Sequence, residues 1–204
     1  MTQVIADISV SLDGFVTGPH VSLNNGMGDG GLALHTWAFS DDPDEKRLLE
    51  AGTTRSGAVV MGRHLFDIID GPDGWSDEIG YGAGEVGKPS FLVVTGAAPA
   101  SIRLTDLDWT FVTTGLEDAV RSAREHAEAA SAATGRDLDA VLMGGAELVG
   151  SAVAAGLVDV LTLHLAPVLL GSGTPLFVDA PPRTLRQRSV VVTPNATHLT
   201  YDVD

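Results

Sequence analysis

An α/β fold is predicted, with a central mixed, mostly parallel sheet of about eight strands, about four flanking helices and a closing C-terminal antiparallel hairpin. Three observations predict it. The runs VIADISVS from Val4, AVVM from Ala58, FLVV from Phe91 and AVLM from Ala140 have the length and β-branched content of buried strands. Two of these runs end in glycine and pass directly into helical spacing, at Gly62 and at Gly144-Gly145. The chain closes on two further strand-like runs, Ser189 to Thr193 and His198 to Val203, joined by Pro194-Asn195.

Each element has its own reason. Val4 to Ser11 sets Ile8 and Val10 on one face and the small Ser9 and Ser11 on the other. A long loop follows to about Ser40, carrying the cluster GMGDGG at Gly26 to Gly31. That cluster formally matches GxGxxG, but Asn24-Asn25 precedes it where a strand should stand, so it reads as a mobile loop. Asp41-Asp42-Pro43-Asp44-Glu45 opens the first helix: an Asp can cap it, Pro43 suits the first turn, and acids favour the positive end of the dipole. Leu48, Leu49 and Ala51 supply its buried face. Arg63 to Asp67 opens a second, shorter helix.

Residues Gly71 to Lys88 are irregular and glycine-rich, the composition of a lid or a disordered segment. Trp109 to Val112 is another strand, and Thr113 or Thr114 can cap a helix from Leu116 to about Thr134, ended by Gly135. Leu148, Val149, Ala152, Val153 and Leu157 stand at helical spacing after the glycine pair, and a further strand starts at Val158. In it Leu161, Leu163 and Leu165 alternate with Thr162 and His164, which makes one face more polar. Gly171-Ser172-Gly173 and Pro175 make a turn.

The 204 residues suit one domain, 1–204, with ample core. Net charge of −15, with only two lysines beside ten arginines, argues against a nucleic-acid surface. No apolar run approaches the ~18 residues that cross a bilayer, and the N-terminal segment lacks a basic region and cleavage site; a cytoplasmic location and no membrane partner are expected. Zero cysteines exclude disulfides and thiolate metal sites. The six histidines show no paired ligand spacing, so no metal is expected.

A buried strand that turns through glycines into a helix presents unpaired N–H groups to an anion, a preference the helix dipole reinforces. Gly144, Gly145 and Ala146 are therefore candidates for a phosphate group, or for a tight turn with no ligand. Gly62-Arg63-His64 repeats the junction with a basic residue, which suggests a ligand with more than one phosphate.

Together, SLDGFVTG, VVMGRHLF, FLVVTG and MGGAELVGSAVAAGLVDVLTLHLAPVLLGSGTPLF resemble the dihydrofolate reductase-like fold, most of all the reductase domain of bacterial bifunctional riboflavin-biosynthesis deaminase–reductases and its stand-alone relatives. The resemblance spans nearly the whole chain and is weakest at 22–40 and 71–88. It implies a homodimer that binds NADPH and reduces a small molecule. The zinc deaminase half needs H-x-E and P-C-x-x-C, so a chain without cysteine is expected to lack it. By motif match, Gly144, Gly145, Ala146, Glu147 and Leu148 would face the pyrophosphate. Gly62, Arg63 and His64 would approach the adenosine-side phosphates, Thr95 and Gly96 the adenosine, and Ser9, Val16 and Thr17 the nicotinamide. Arg63 is a planar, permanently charged fork suited to a 2′-phosphate; its alternative is an i,i+4 ion pair with Asp67.

Two carboxylates are candidates for catalysis. Glu45, or Asp44 beside it, lies near the position of the family's helix carboxylate, within a run of acids whose ordinary task is capping. Asp13 would orient substrate or close the nicotinamide loop, or simply make an Asp-Gly turn. Trp37 and Trp75 would wall a flat substrate of pterin, pyrimidine or carbonyl type, or anchor loops. The rival reading is a non-catalytic module that binds a nucleotide or pterin on the same fold.

Overall fold

The computed structural model describes residues 1–72, 74–76, 80–81 and 89–203. The strands are β1 (Val4–Ser11), β2 (Phe15–Thr17), β3 (Ser56–Gly62), β4 (Ser90–Val94), β5 (Trp109–Val112), β6 (Asp139–Gly144), β7 (Val160–Ala166), β8 (Thr174–Pro175), β9 (Arg186–Val192) and β10 (Thr197–Asp202). The helices are α1 (Pro43–Thr54), α2 (Arg63–Ile69), α3 (Leu116–Thr134) and α4 (Ala146–Ala154), with a 3₁₀ helix at Gly31–Phe39. The main sheet runs β5-β4-β3-β6-β1-β7-β10-β9. Its first six strands are mutually parallel, β10 runs antiparallel to β7 and β9 antiparallel to β10, which is the dihydrofolate reductase-like arrangement.

The parallel strands are apolar on both sides because both faces are covered. On one face, Val4, Ala6, Ile8 and Val10 of β1 meet Ala119, Val120, Ala123 and Ala127 of α3, and Val149, Ala152 and Val153 of α4. On the other, Val59, Met61, Phe91 and Val93 pack under Phe66 and Ile69 of α2. The polar half of β1, Ser9 and Ser11, looks toward the second face, beside His164 and Ala166 of β7 in register.

Several local expectations change. The cluster Gly26–Gly31 is a hydrogen-bonded turn and not a mobile loop: Gly18 N–H donates to Met27 O at 2.8 Å and Asp29 N–H to Pro19 O at 2.8 Å. A Cβ at Gly18 would stand 1.9 Å from Asp29 O, so glycine is what allows the two backbones to touch. Phe15–Thr17 and Thr174–Pro175, expected as loop and turn, pair as a small antiparallel sheet. Helix α3 starts from Gly115 without a side-chain cap, in place of Thr113 or Thr114. Helix α1 is capped by Asp42, which accepts from Asp44 N and Glu45 N. Its expected buried face does not form: Leu49 and Ala51 are exposed, Leu48 is half-buried, and Glu45 is the buried residue of the helix. The reason is that Leu48, Leu49, Gly52 and Thr53 border a cavity where a core would otherwise lie. The lid expected within Gly71 to Lys88 falls largely at 73, 77–79 and 82–88, outside the described residues.

Candidate active site

Strand order places the site. From β3 the chain crosses through α2 on one face to β4; from β6 it crosses through α4 on the opposite face to β7. The carboxyl ends of β3 and β6, adjacent in the sheet, therefore feed crossovers that diverge, and such a point opens a crevice in α/β sheets. Gly62 and Gly144 end those two strands, with Met61 opposite Gly144. Thr95 and Gly96 follow β4 on the same edge.

This edge is made of backbone. Added Cβ atoms at Gly62, Gly96 and Gly145 would meet nothing within 4 Å, so the absent side chains leave open space there. The Gly144–Gly145 peptide is cis, and Gly145 is the N-cap of α4. Ala146 and Leu148 turn their side chains into the core, while Gly145 and Glu147 are exposed. The first-turn N–H groups of α4 thus stand at the crevice, the donor set a pyrophosphate needs.

Arg63 adopts the ion pair: its Nε donates to Asp67 Oδ1 at 2.7 Å. Its Nη1 also reaches across the edge to the Ala97 carbonyl at 2.9 Å and to Thr95 Oγ1 at 3.4 Å. The guanidinium therefore sits over the end of β4, with exposed His64 next to it. Val16, matched to the nicotinamide side, has its side chain in the main core and can offer a ligand only backbone. Thr17 bonds Thr174 Oγ1 at 2.8 Å, which joins β2 to β8.

A cavity of about 170 Å³ lies one residue inward from Gly144, between β1, β6, β7, α1 and the 3₁₀ helix. Where β6 pairs with β3, the register shifts after Val60↔Leu142 to Met61↔Gly144. The extra residue, Met143, lines the cavity with Val141, Leu48 and Leu49, and Trp37 forms a further wall. The Trp37 indole N–H donates to Ser9 Oγ at 3.0 Å, and its ring stacks on His164 with centroids 4.0 Å apart. Trp75 does not reach this wall. It is half-buried in the second core against Phe91 and Tyr81, and Tyr81 lines the cavity in its stead. Burial pushes the Tyr81 hydroxyl's pKa up, despite its bond to Ser56 Oγ at 2.6 Å.

Both candidate carboxylates accept several hydrogen bonds. Glu45 is fully buried, and its carboxylate accepts from Thr193 Oγ1 at 2.7 Å, Asn195 N at 2.9 Å and Asn195 Nδ2 at 2.9 Å. Burial alone would raise its pKa, but hydrogen bonds from Ser40, Thr193 and Asn195 outweigh that and hold it at about 2. It ties α1 to the β9–β10 turn. Asp13 ties the β1–β2 turn to the segment after β7: it accepts from Ser11 Oγ at 2.5 Å, from Leu170 N at 3.1 Å and from Gly171 N at 2.6 Å. The Ser11 bond leads the interactions that keep its carboxyl below the usual range. Of the roles expected for Asp13, the structure shows loop closure.

Sequence reasoning missed a buried polar chain behind the cavity. Asp7 Oδ1 stands 2.8 Å from His164 Nε2, His164 Nδ1 2.6 Å from His198 Nδ1, and His198 Nε2 3.0 Å from Thr193 Oγ1, which leads to Glu45. Asp7 and His164 line the cavity, as does His35 of the 3₁₀ helix. The signal available was the polar alternation Asp7-Ser9-Ser11 inside an otherwise buried strand, and its match on β7 at His164.

Comparison with known proteins agrees with this geometry. The family model for the RibD C-terminal domain matches residues 2–199. The chain belongs to the RibD C-terminal domain family. Among solved structures, a protein of Shewanella sp. PV-4 assigned to riboflavin biosynthesis has a TM-score of 0.65 at 20% identity, with 100% of this chain and 99% of that one covered. A pyrimidine reductase-like protein of Corynebacterium diphtheriae scores 0.58 at 18% identity, covering 100% and 92%. The Thermotoga maritima diaminohydroxyphosphoribosylaminopyrimidine deaminase/5-amino-6-(5-phosphoribosylamino)uracil reductase scores 0.60 at 13%; the chain spans 57% of its length. At these identities the RibD-type structures share the fold. A comparison with curated proteins gives no match. No helix among the described residues is long and apolar enough to cross a membrane.

Proposed function

We propose that this RibD C-terminal domain is an NADPH-dependent reductase acting on a small unsaturated heterocycle of pyrimidine type. The observation that carries the reading is the crevice between β3 and β6, open at Gly62, Gly96 and Gly145 and continuous through Met143 with a partly open cavity. A dinucleotide laid along that edge would place its pyrophosphate on the α4 N-terminus and its adenosine side by Arg63, His64, Thr95 and Gly96. Its nicotinamide would lie toward Ser9 and Thr17, and when bound it supplies the hydride. Arg63, already bridging to Ala97, favours the 2′-phosphate form. A substrate ring would occupy the cavity behind Trp37, whose volume suits a single ring. On family resemblance we propose a cytoplasmic homodimer, with the exposed edge strand β9 and its Val190, Val191 and Val192 as the contact surface.

The deciding experiment is a fluorescence titration with NADPH and NADH, followed by NADPH oxidation against 5-amino-6-(5-phosphoribosylamino)uracil, dihydrofolate and cyclic imines. Micromolar binding of NADPH, tighter than NADH, with turnover of one substrate class is expected. No binding of either cofactor at millimolar levels sinks the reading. Tight binding without turnover of any compound favours a binding module.

A further inference from the structure

The reductase reading leaves open the source of the proton that must accompany the hydride, since Asp13 and Glu45 are both acceptors. The hydrogen-bond chain behind the cavity answers this by direction. At one end Glu45 is a buried carboxylate whose oxygens only accept. Thr193 has a single hydroxyl proton and three partners within reach: Glu45 Oε1 at 2.7 Å, Ala196 O at 3.0 Å and His198 Nε2 at 3.0 Å. The first two accept only. The shorter, charge-assisted bond to Glu45 takes the proton. His198 Nε2 must then be the donor to Thr193.

Burial first, and His164 second, hold His198 down to about 4, so at neutral pH it carries one proton, the one on Nε2. Its Nδ1 is therefore a lone pair, and the 2.6 Å contact exists only if His164 Nδ1 carries hydrogen. His164 thus has its first proton committed away from the cavity. The remaining position, between His164 Nε2 and Asp7 Oδ1 at 2.8 Å, must hold another, because a bare imidazole nitrogen facing a bare carboxylate would be repulsive.

The position of the couple is what gives it a use. Asp7 and His164 line the cavity, and the Asp7 side chain is 33% exposed while that of His164 is 8% exposed. Asp7 Oδ2 looks toward α1, where a Cβ at Gly52 would come within 3.9 Å of it. The other titratable groups around it are His35 of the 3₁₀ helix, Tyr81, whose hydroxyl bonds Ser56, and His198 and Glu45 behind. Leu48, Leu49, Val141 and Met143 make much of the remaining wall apolar, which strengthens charge interactions inside it.

We infer that the Asp7–His164 couple is the proton donor of this site, delivering a proton from the Asp7 carboxyl to a nitrogen or oxygen of a ring bound under Trp37. The inference rests on the reductase reading. In the step, the unsaturated ring carbon accepts a hydride from the reduced nicotinamide dinucleotide, which is oxidised. The C=N or C=O π pair moves onto the heteroatom, which takes the Asp7 proton; the bare His164–Asp7 contact this leaves is the repulsive arrangement absent at rest, and it draws a replacement proton from solvent. The substrate class follows: a ring whose hydride-accepting carbon is bonded to a basic nitrogen or carbonyl oxygen. His198, Thr193 and Glu45 are positioning residues that fix which nitrogen of His164 faces Asp7.

Two measurements test this. Nitrogen-15 histidine spectra of the wild-type protein should show His198 as the neutral Nε2–H form and His164 with hydrogen on Nδ1 at pH 7. A His164 with bare Nδ1 overturns the proposal and needs no turnover to do so. Asp7→Asn should lower kcat at least 100-fold with the panel compound the wild type reduces fastest, leave KM for NADPH unchanged, and abolish the fall in rate at high pH. An Asp7→Asn enzyme with wild-type kcat and pH profile overturns it as well. Failure of the wild type to bind NADPH is a different result, and it removes the reductase reading itself.

Discussion

The glycine-lined edge at Gly62, Gly96 and Gly145 and the cavity behind Trp37 meet at Met143–Gly144, yet they are built from different material. The edge is backbone at the ends of adjacent parallel strands, and what matters there is the lack of side chains. The cavity is a set of side chains from β1, β6, β7, α1 and the 3₁₀ helix, held by hydrogen bonds between residues far apart in the chain. One half is open and adaptable; the other is buried and interlocked. The difference teaches where substitutions should hurt. Changes at the edge should weaken cofactor and spare the fold, whereas changes in the chain behind the cavity should cost stability as well as activity.

The largest expected effect is on the interlocked half. Glu45→Gln puts an amide N–H against the donors from Asn195 or Thr193 and should lower stability by roughly 2–4 kcal/mol, measured by urea unfolding. NADPH affinity of the folded protein should stay within threefold of wild type. An equal loss of cofactor binding would erase the distinction between the two halves.

The pH dependence follows with its sign. Glu45 is lowered from 4.5 to about 2, so it binds fewer protons when folded. Its stabilisation, on the order of 3 kcal/mol, is present above pH 4.5 and lost as pH falls toward 2. His198 is lowered from 6.5 to about 4, so the unfolded chain binds the extra proton first, and stability falls from pH 6.5 down to 4. Two successive losses are therefore expected in acid unfolding curves. Glu45→Gln should flatten the lower one; because the Glu45 charge raises His198, its removal should also extend the upper loss to lower pH, its onset near pH 6.5 unchanged.

On the open half, Arg63→Ala should weaken NADPH at least tenfold and NADH by less than threefold, read by fluorescence titration. Its stability cost should stay below about 0.5 kcal/mol, since the pair with Asp67 is a partly exposed i,i+4 contact. Equal losses for both cofactors would refute the 2′-phosphate role. The smallest structural effect belongs to Gly62→Ala, whose methyl enters open space and leaves the melting temperature unchanged while weakening NADPH severalfold. At the proposed dimer surface, Val192→Asp should shift the protein to monomer in light scattering.

Legibility in the sequence follows the same division. The strand–glycine–helix junctions at Gly62 and Gly144 were readable because strand length, turn and helical spacing lie within a dozen neighbouring residues. Their meeting at one edge follows from a parallel sheet. Helix α1 misled, because Leu48 and Leu49 have the spacing of a core stripe and spacing cannot tell a core from a cavity wall. Glu45 misled for a related reason: an acid in a helix's first turn looks like a dipole partner, and nothing local announces the Thr193–Asn195 turn that closes over it. The Asp7–His164 pair was hidden altogether. Asp7 and His164 are 157 residues apart and are brought together by pairing of β1 with β7, in which Asp7 stands opposite Thr162 and Ser9 opposite His164.

By itself, then, the sequence determined the fold family, the parallel sheet and the glycine-made edge, since each is written in short-range periodicity and in residues that lack side chains. Only the tertiary structure decided which carboxylates are anchors, where the cavity lies and which residues face it. Those roles come from register between distant strands and from the burial and bonding of charge, and neither quantity exists until the chain is folded.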